Sequence, residues 1–243
     1  MKRTERHHLK KNEFEVLTVQ AVDLLTSKKR EATTLIAIIL VIAVAAGGYW
    51  FWHQHEQDKA HAMLSDAMIV RDARVGPPAA PGTSAGLTFP TERERSQAAI
   101  EKFRKAADAY PTTDAGLFAR YQEGALQVSA GNSGDAVKAY QAVVDRGGDG
   151  LYGQMARLGL AEAYARGKQF EQAITAYKEL AQRKDGQLPI DGILIQMGRV
   201  YREAGKTSDA QQTFTRLVEE FPDSPFAPDA KRELEALKKG ANA

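Results

Sequence analysis

The 243-residue chain contains no cysteine. Disulfides, thiolate metal sites, a cysteine nucleophile and a lipid-bearing cysteine are therefore excluded. Such a chain is at ease in an oxidising compartment without being confined to one. Histidine is nearly as scarce: of five, only His53, His55 and His61 lie beyond residue 31. A spacing of two points side chains to different helix faces, and no Cys completes a ligand set, so no metal site or cofactor is expected. With no histidine in 92–240, a Ser–His nucleophile has no base there. The glycines at 147, 148 and 150 form neither a P-loop nor a dinucleotide fingerprint, and they read as a turn. Acidic residues alternate with Lys/Arg along helices, as on a solvated face. No catalytic residue is assigned, and the chain is not expected to be an enzyme.

A bulk basic excess is also missing. Residues 53–243 carry 25 Lys/Arg against 26 Asp/Glu, which gives nothing to attract nucleic acid. The positive bias sits in residues 1–31, with eight against five. After it, residues 32–52 run for 21 positions without a charge. At about 1.5 Å per residue this just covers a hydrocarbon core of roughly 30 Å. Tyr49, Trp50, Phe51 and Trp52 close the run with the rings that settle at membrane interfaces. Lys28, Lys29 and Arg30 precede it, while the 15 residues after it hold only Lys59. The positive-inside bias places the N-terminus in the cytoplasm and the C-terminal part outside. A cleaved signal peptide has a shorter apolar stretch close to the start, and a soluble core helix lacks the aromatic exit. A retained single-pass anchor is the expectation.

Phe14, Leu17, Ala21, Leu24 and Leu25 recur at helical spacing within the cytoplasmic arm, 1–31. An amphipathic helix on the inner leaflet and a loosely ordered tail both fit them. Beyond the membrane run, Ala62, Met63, Ala67 and Met68 suggest a juxtamembrane helix over 53–72. Residues 73–91 are rich in Pro, Gly, Ala and Ser, the composition of a linker or exposed insertion. Either 53–72 serves as the first helix of the first hairpin, or it and the linker form a tether.

What dominates the remainder is a period. Ala99, Ala136, Ala173 and Ala210 are each 37 residues apart. Four positions later come Phe103, Tyr140, Tyr177 and Phe214, and seven later Ala106, Val143, Leu180 and Leu217. Offsets of four and seven share one helix face, so a small residue admits a partner helix and a ring fills the gap beyond it. A preceding helix repeats too: Leu160, Ala161 and Tyr164 stand where Met197, Gly198 and Tyr201 stand in the next unit. Gly124 keeps the small place, whereas Glu123 and Gln127 depart from the pattern. Thr91 to Glu94 reads as a capping box. Asn132 or Ser133, Thr207 or Ser208, and Asp223-Ser224-Pro225 read as further helix starts. An all-α solenoid over 92–240, closed by a helix through Ala230, Leu234 and Leu237, follows.

Met197 to Pro222, with Gly198, Tyr201, Gly205, Ala210 and Phe214, resembles a tetratricopeptide repeat. That unit normally has roughly 34 residues, so the surplus falls in loops. The resemblance implies a groove along the first helices of the hairpins, at the second, fifth, ninth and twelfth places of the unit. Carried over, these include Phe118, Tyr121, Met155, Leu158, Ile195, Arg199 and Arg202. Such a lining would suit an extended segment or helix, with Arg available for a carboxylate. The order of parts is similar to bacterial inner-membrane tetratricopeptide proteins that are ancillary subunits of the SecYEG translocon. That implies a periplasmic adaptor or chaperone-like scaffold contacting translocon subunits, periplasmic chaperones or exported clients. The C-terminal FPDSPFAPDAKREL is similar to repeats of the Tol–Pal coordinator and outer-membrane assembly lipoproteins, which implies instead a component of envelope assembly.

Overall fold

The computed structural model describes residues 29–77, 86–183 and 188–241. The arm's pattern from Phe14 to Leu25 and the middle of the linker lie outside the described residues. The chain divides into two units, Met1–His55 and Glu56–Ala243. Helix α1, Lys29–Arg71, is a single element spanning both the membrane run and the juxtamembrane stretch.

In the first unit, α1 leaves its large apolar side chains uncovered by protein, from Leu35 to Val44 and on through Trp52. Such a surface is costly in water and favourable in hydrocarbon. Helix α1 is long and apolar enough to cross a membrane. Tyr49 and Trp52 lie on one side of it, ring centroids 6.2 Å apart.

In the second unit, the last turns of α1 bury Ala60, Ala67 and Val70. Ala67 and Val70 form a core with Ala99, Phe103 and Ala106, edged by Met63 and Met68. These turns therefore pack against the helix that carries Ala99 and Phe103. Two short strands follow, β1 at Arg74–Val75 and β2 at Thr88–Phe89, paired in parallel. The Gly76 N–H donates to the Phe89 carbonyl at 3.0 Å, and the Arg74 N–H to Leu87 at 3.2 Å. The all-α expectation missed this ladder, which ties together the two ends of the Pro/Gly-rich segment.

Then come α2 (Glu92–Ala109), α3 (Asp114–Ser129), α4 (Ser133–Gly147), α5 (Leu151–Arg166) and α6 (Phe170–Gln182). Helices α7 (Ile190–Glu203), α8 (Thr207–Glu220) and α9 (Ala227–Ala241) complete the series. From α2 on, each helix packs on the next, and α3 also packs on α5, the arrangement of stacked hairpins. The four repeated alanines are 0% exposed, and Phe103, Tyr140, Tyr177 and Phe214 are buried beside them. Two of these rings sit where the opposing helix lacks a side chain. A methyl on Gly198 would lie 2.4 Å from Phe214 Cε1, and one on Gly159 would lie 2.5 Å from Tyr140 Cε1.

The turn from first to second helix is itself periodic. Gly131, Lys168 and Gly205 all have positive φ, at 79°, 58° and 74°. One residue on, the N–H groups of Asn132, Gln169 and Lys206 reach back to Gln127, Tyr164 and Tyr201 at 2.8–2.9 Å. This closing bond of a left-handed C-terminal turn satisfies carbonyls that the helix end would strand. Lys168 adopts at a cost what glycine adopts freely in the sister turns.

Helix starts differ in part from expectation. Thr91 does accept from the Glu94 N–H, at 3.2 Å. Asn132 makes no side-chain cap and instead donates to Gln127 Oε1 at 2.8 Å. The residue before α8 is Lys206, so neither Thr207 nor Ser208 caps it. Helix α9 starts at Ala227, yet the Ser224 hydroxyl accepts from the Phe226 N–H at 3.1 Å, as a cap does, while it donates to Asp191 Oδ2 at 2.6 Å. The unforeseen cap is Thr113, which accepts from the Gly116 N–H at 3.0 Å.

Two substitutions act in opposite directions on urea unfolding followed by helical circular dichroism. Gly198→Ala forces the Phe214 ring out of place and destabilises by about 1–3 kcal/mol. Lys168→Gly relieves the turn and stabilises by about 0.5–1 kcal/mol.

Candidate functional site

The residues expected to line a groove do not share one fate. Phe118 and Tyr121 on α3 are half-buried, with ring centroids 6.4 Å apart and planes 18° from parallel. Met155 and Leu158 on α5 are half-buried as well, and Leu158 leans on the core. Tyr152 joins them, its ring 5.9 Å from Phe118. It stands outside the four places of the unit that the resemblance marks, so nothing in the repeat pattern pointed to it. Tyr121 meets Tyr140 from below at 5.5 Å. Together they make a continuous aromatic strip across α3 and α5.

On α7 the outcome is different. Ile195 is 0% exposed and belongs to the core with Ala227 and Ala230 of α9, so it lines no surface. Arg199 Nη2 donates to Asp229 Oδ2 at 3.1 Å, and Arg202 pairs with Glu233. Both guanidinium groups already hold carboxylates from the last helix. The expectation that they stand ready for a partner's carboxylate is corrected accordingly.

Glu162 stands 37 residues before Arg199, at the same place of the unit, a position that periodicity alone could have flagged. Its carboxylate lies 3.5 Å from Arg166 one turn on, both groups at least half exposed. Burial, and after it the Glu162 charge, pushes the Tyr121 hydroxyl above its ordinary pKa. Burial raises Tyr140 and Tyr177 as well, with Glu162 contributing to both. The charge of one carboxylate thus reaches three tyrosines.

The opposite side of α3 carries ionic structure. At 3.6 residues per turn, Arg120 and Glu123 face away from Phe118 and Tyr121. Glu123 is buried where sister repeats hold an apolar residue. It accepts from Arg104 Nε at 2.8 Å and Arg120 Nη1 at 2.6 Å, and Arg120 also pairs with Asp108. A cleft of about 350 Å³ opens there, lined among others by Asp135 and Lys138. Lys138 pairs with Asp135 at 3.0 Å, so every charge lining the cleft is matched internally. Among the described residues, no three His, Asp or Glu side chains gather as a metal set.

Stacked hairpins with small-and-aromatic packing and a half-buried aromatic strip define a helical-repeat protein. Residues 28–224 match the family model described as Tetratricopeptide repeat-like domain, and the chain belongs to that family. No curated protein matches the chain. Among solved structures it is similar to a Podosopora anserina chain described as nearly identical TPR-like repeats of kinesin-light-chain type. The identity is 12%, 76% of this chain and 88% of that chain are covered, and the TM-score is 0.57. A point variant of the same Podosopora anserina chain is similar too, at 12% identity, 77% and 88% coverage and a TM-score of 0.58. These likenesses show the fold. Repeats of this kind form protein–protein interaction scaffolds and are typically non-catalytic.

Arg120→Ala leaves Glu123 buried with one partner and takes the ion pair from the exposed Asp108, and costs about 3 kcal/mol in urea unfolding. Arg120→Lys recovers little of this, since an ammonium cannot serve both carboxylates in the fork geometry.

Proposed function

We propose that the chain is a single-pass membrane protein that presents its repeats outside the cytoplasm as a polypeptide-binding adaptor at a site of protein export. The observation that carries this reading is the aromatic strip of Phe118, Tyr121, Tyr152 and Met155. These side chains are half-buried, uncharged and set along the first helices of consecutive hairpins. Rings of that kind offer large contact area at low entropic cost to a polypeptide segment.

The orientation rests on Lys28, Lys29 and Arg30 before the membrane run and the scarcity of Lys/Arg after it. Tyr49, Trp50, Phe51 and Trp52, all more than half exposed, fit the interface at the extracytoplasmic end. A bacterial inner membrane and a periplasmic repeat unit follow from the similarity to translocon-associated repeat proteins. Tethering raises the local concentration of the strip near emerging chains, so that weak contacts are sufficient.

A second reading draws on FPDSPFAPDAKREL, which forms the α8–α9 turn and the start of α9, with Ala227 and Ala230 buried. On that reading the chain coordinates cell-wall or outer-membrane assembly.

A photo-crosslinking residue placed at Phe118 or Met155 in living bacteria separates the two. The export reading expects adducts to channel subunits, periplasmic chaperones or newly exported chains, several-fold stronger than from Lys138 on the other side. Adducts to cell-wall or outer-membrane proteins alone transfer the case to the second reading. Equal labelling from Lys138 overturns the strip as the binding surface.

A further inference from the structure

The strip is uncharged except at its end, where Glu162 pairs with Arg166 along α5. Glu162 follows Met155 by two turns of α5 and Gly159 by three residues, so all three share a helix face. The Tyr140 ring presses its hydroxyl end onto Gly159, where a methyl would come within 2.5 Å of Cζ. Tyr121 stands against Tyr140 at 5.5 Å. The half-exposed carboxylate thus stands at the end of the strip, with apolar side chains leading up to it.

We infer that Glu162, at the end of the strip that carries Tyr121, forms a receptor for a lysine or arginine side chain of a bound polypeptide, so that the strip selects a basic residue among apolar ones. This deepens the adaptor reading and rests on it. Charge complementarity is the argument. The cations on the neighbouring part of the face, Arg199 and Arg202, are held by Asp229 and Glu233. They offer nothing to an acidic segment. Glu162 is held only by a neighbour on its own helix, Arg166, at 3.5 Å with side chains 50% and 67% exposed. Exposed pairs of this spacing are weak, so an arriving cation can displace Arg166 or share the carboxylate with it. The arriving cation also gains the negative face of the half-buried Tyr121 ring. The same pairing occurs within the chain, where Lys178 Nζ lies 5.8 Å from the Tyr201 ring centre.

The occupant is therefore an extended partner segment in which Lys or Arg is flanked by leucine-like or aromatic residues. An acidic segment of equal apolar content is disfavoured, because its carboxylate would meet Glu162.

The test uses the full-length chain in zwitterionic nanodiscs, with empty nanodiscs subtracted, and three fluorescent peptides. Each has Leu and Phe flanking one central residue, which is Lys, norleucine or Glu. Wild type is expected to bind the Lys peptide roughly five- to tenfold more tightly than the Glu peptide. Glu162→Gln should bring that ratio below about twofold while leaving the norleucine peptide unaffected. Glu162→Lys should reverse the ratio; the position is exposed, and circular dichroism checks that each variant folds. A Lys preference that persists in Glu162→Gln, or equal binding of all three peptides to wild type, overturns the receptor but leaves the adaptor reading standing. Failure of all three peptides to bind removes both.

Discussion

One contact sets the geometry of the repeat unit: an aromatic ring on a second helix seated where a first helix has no side chain. Phe214 sits on Gly198, and Tyr140 sits between Gly124 of its own hairpin and Gly159 of the next. Tyr140 is the informative case, because one ring fixes the approach of three helices. Close approach of α3 and α5 follows, and with it the placement of Phe118 and Tyr152 side by side. Interiors pack at crystal-like density, so a ring of fixed shape leaves little freedom in how the hairpins stack. The surface strip is thus a consequence of the core contact: the outer faces of the same first helices are aligned by rings buried beneath them.

This constraint explains which parts of the molecule were legible in sequence. A residue that must be small, and another that must be a ring, recur at 37-residue intervals because the contact recurs. Alanines 99, 136, 173 and 210 announced the fold for that reason. Polar replacements in the core were legible as departures but not as interactions. Glu123 could be seen to break the pattern, yet its partner Arg104 comes from the preceding hairpin, 19 residues earlier. Gln127 likewise breaks the pattern in order to receive Asn132, and this takes Asn132 away from the cap it was expected to form.

The groove residues were legible only as far as the stack is regular. Phe118, Tyr121, Met155 and Leu158 lie where first helices follow one another without interruption. Ile195, Arg199 and Arg202 occupy equivalent places beside the last helix, and there the rule fails. A terminal helix must cover core that no further hairpin covers. Helix α9 does this by burying Ile195 against Ala227 and Ala230. Tyr152 was missed because it enters the strip from the first turn of α5, ahead of the places the unit reserves for contact. Thr113 was missed because its hydroxyl is read as a cap only once the start of α3 is known.

The same terminal helix divides the face into two chemical halves. Burying Ile195 brings Asp229 and Glu233 alongside Arg199 and Arg202, and the charges cancel where they stand. Partly exposed pairs of this kind add modest stability, but they remove four groups from the set that could meet a partner. What remains open is the half built from α3 and α5, aromatic throughout and carrying Glu162. A surface of that size gives modest affinity, since most contacts in an interface add shape rather than energy. Specificity must then come from few groups, and a carboxylate held only by an exposed neighbour on its own helix discriminates by charge where rings discriminate only by shape. Capping the stack thus sorts the ionic pairs: Arg199 and Arg202 are held across helices by α9, whereas Glu162 on the half that stays open is held only by Arg166 of its own helix.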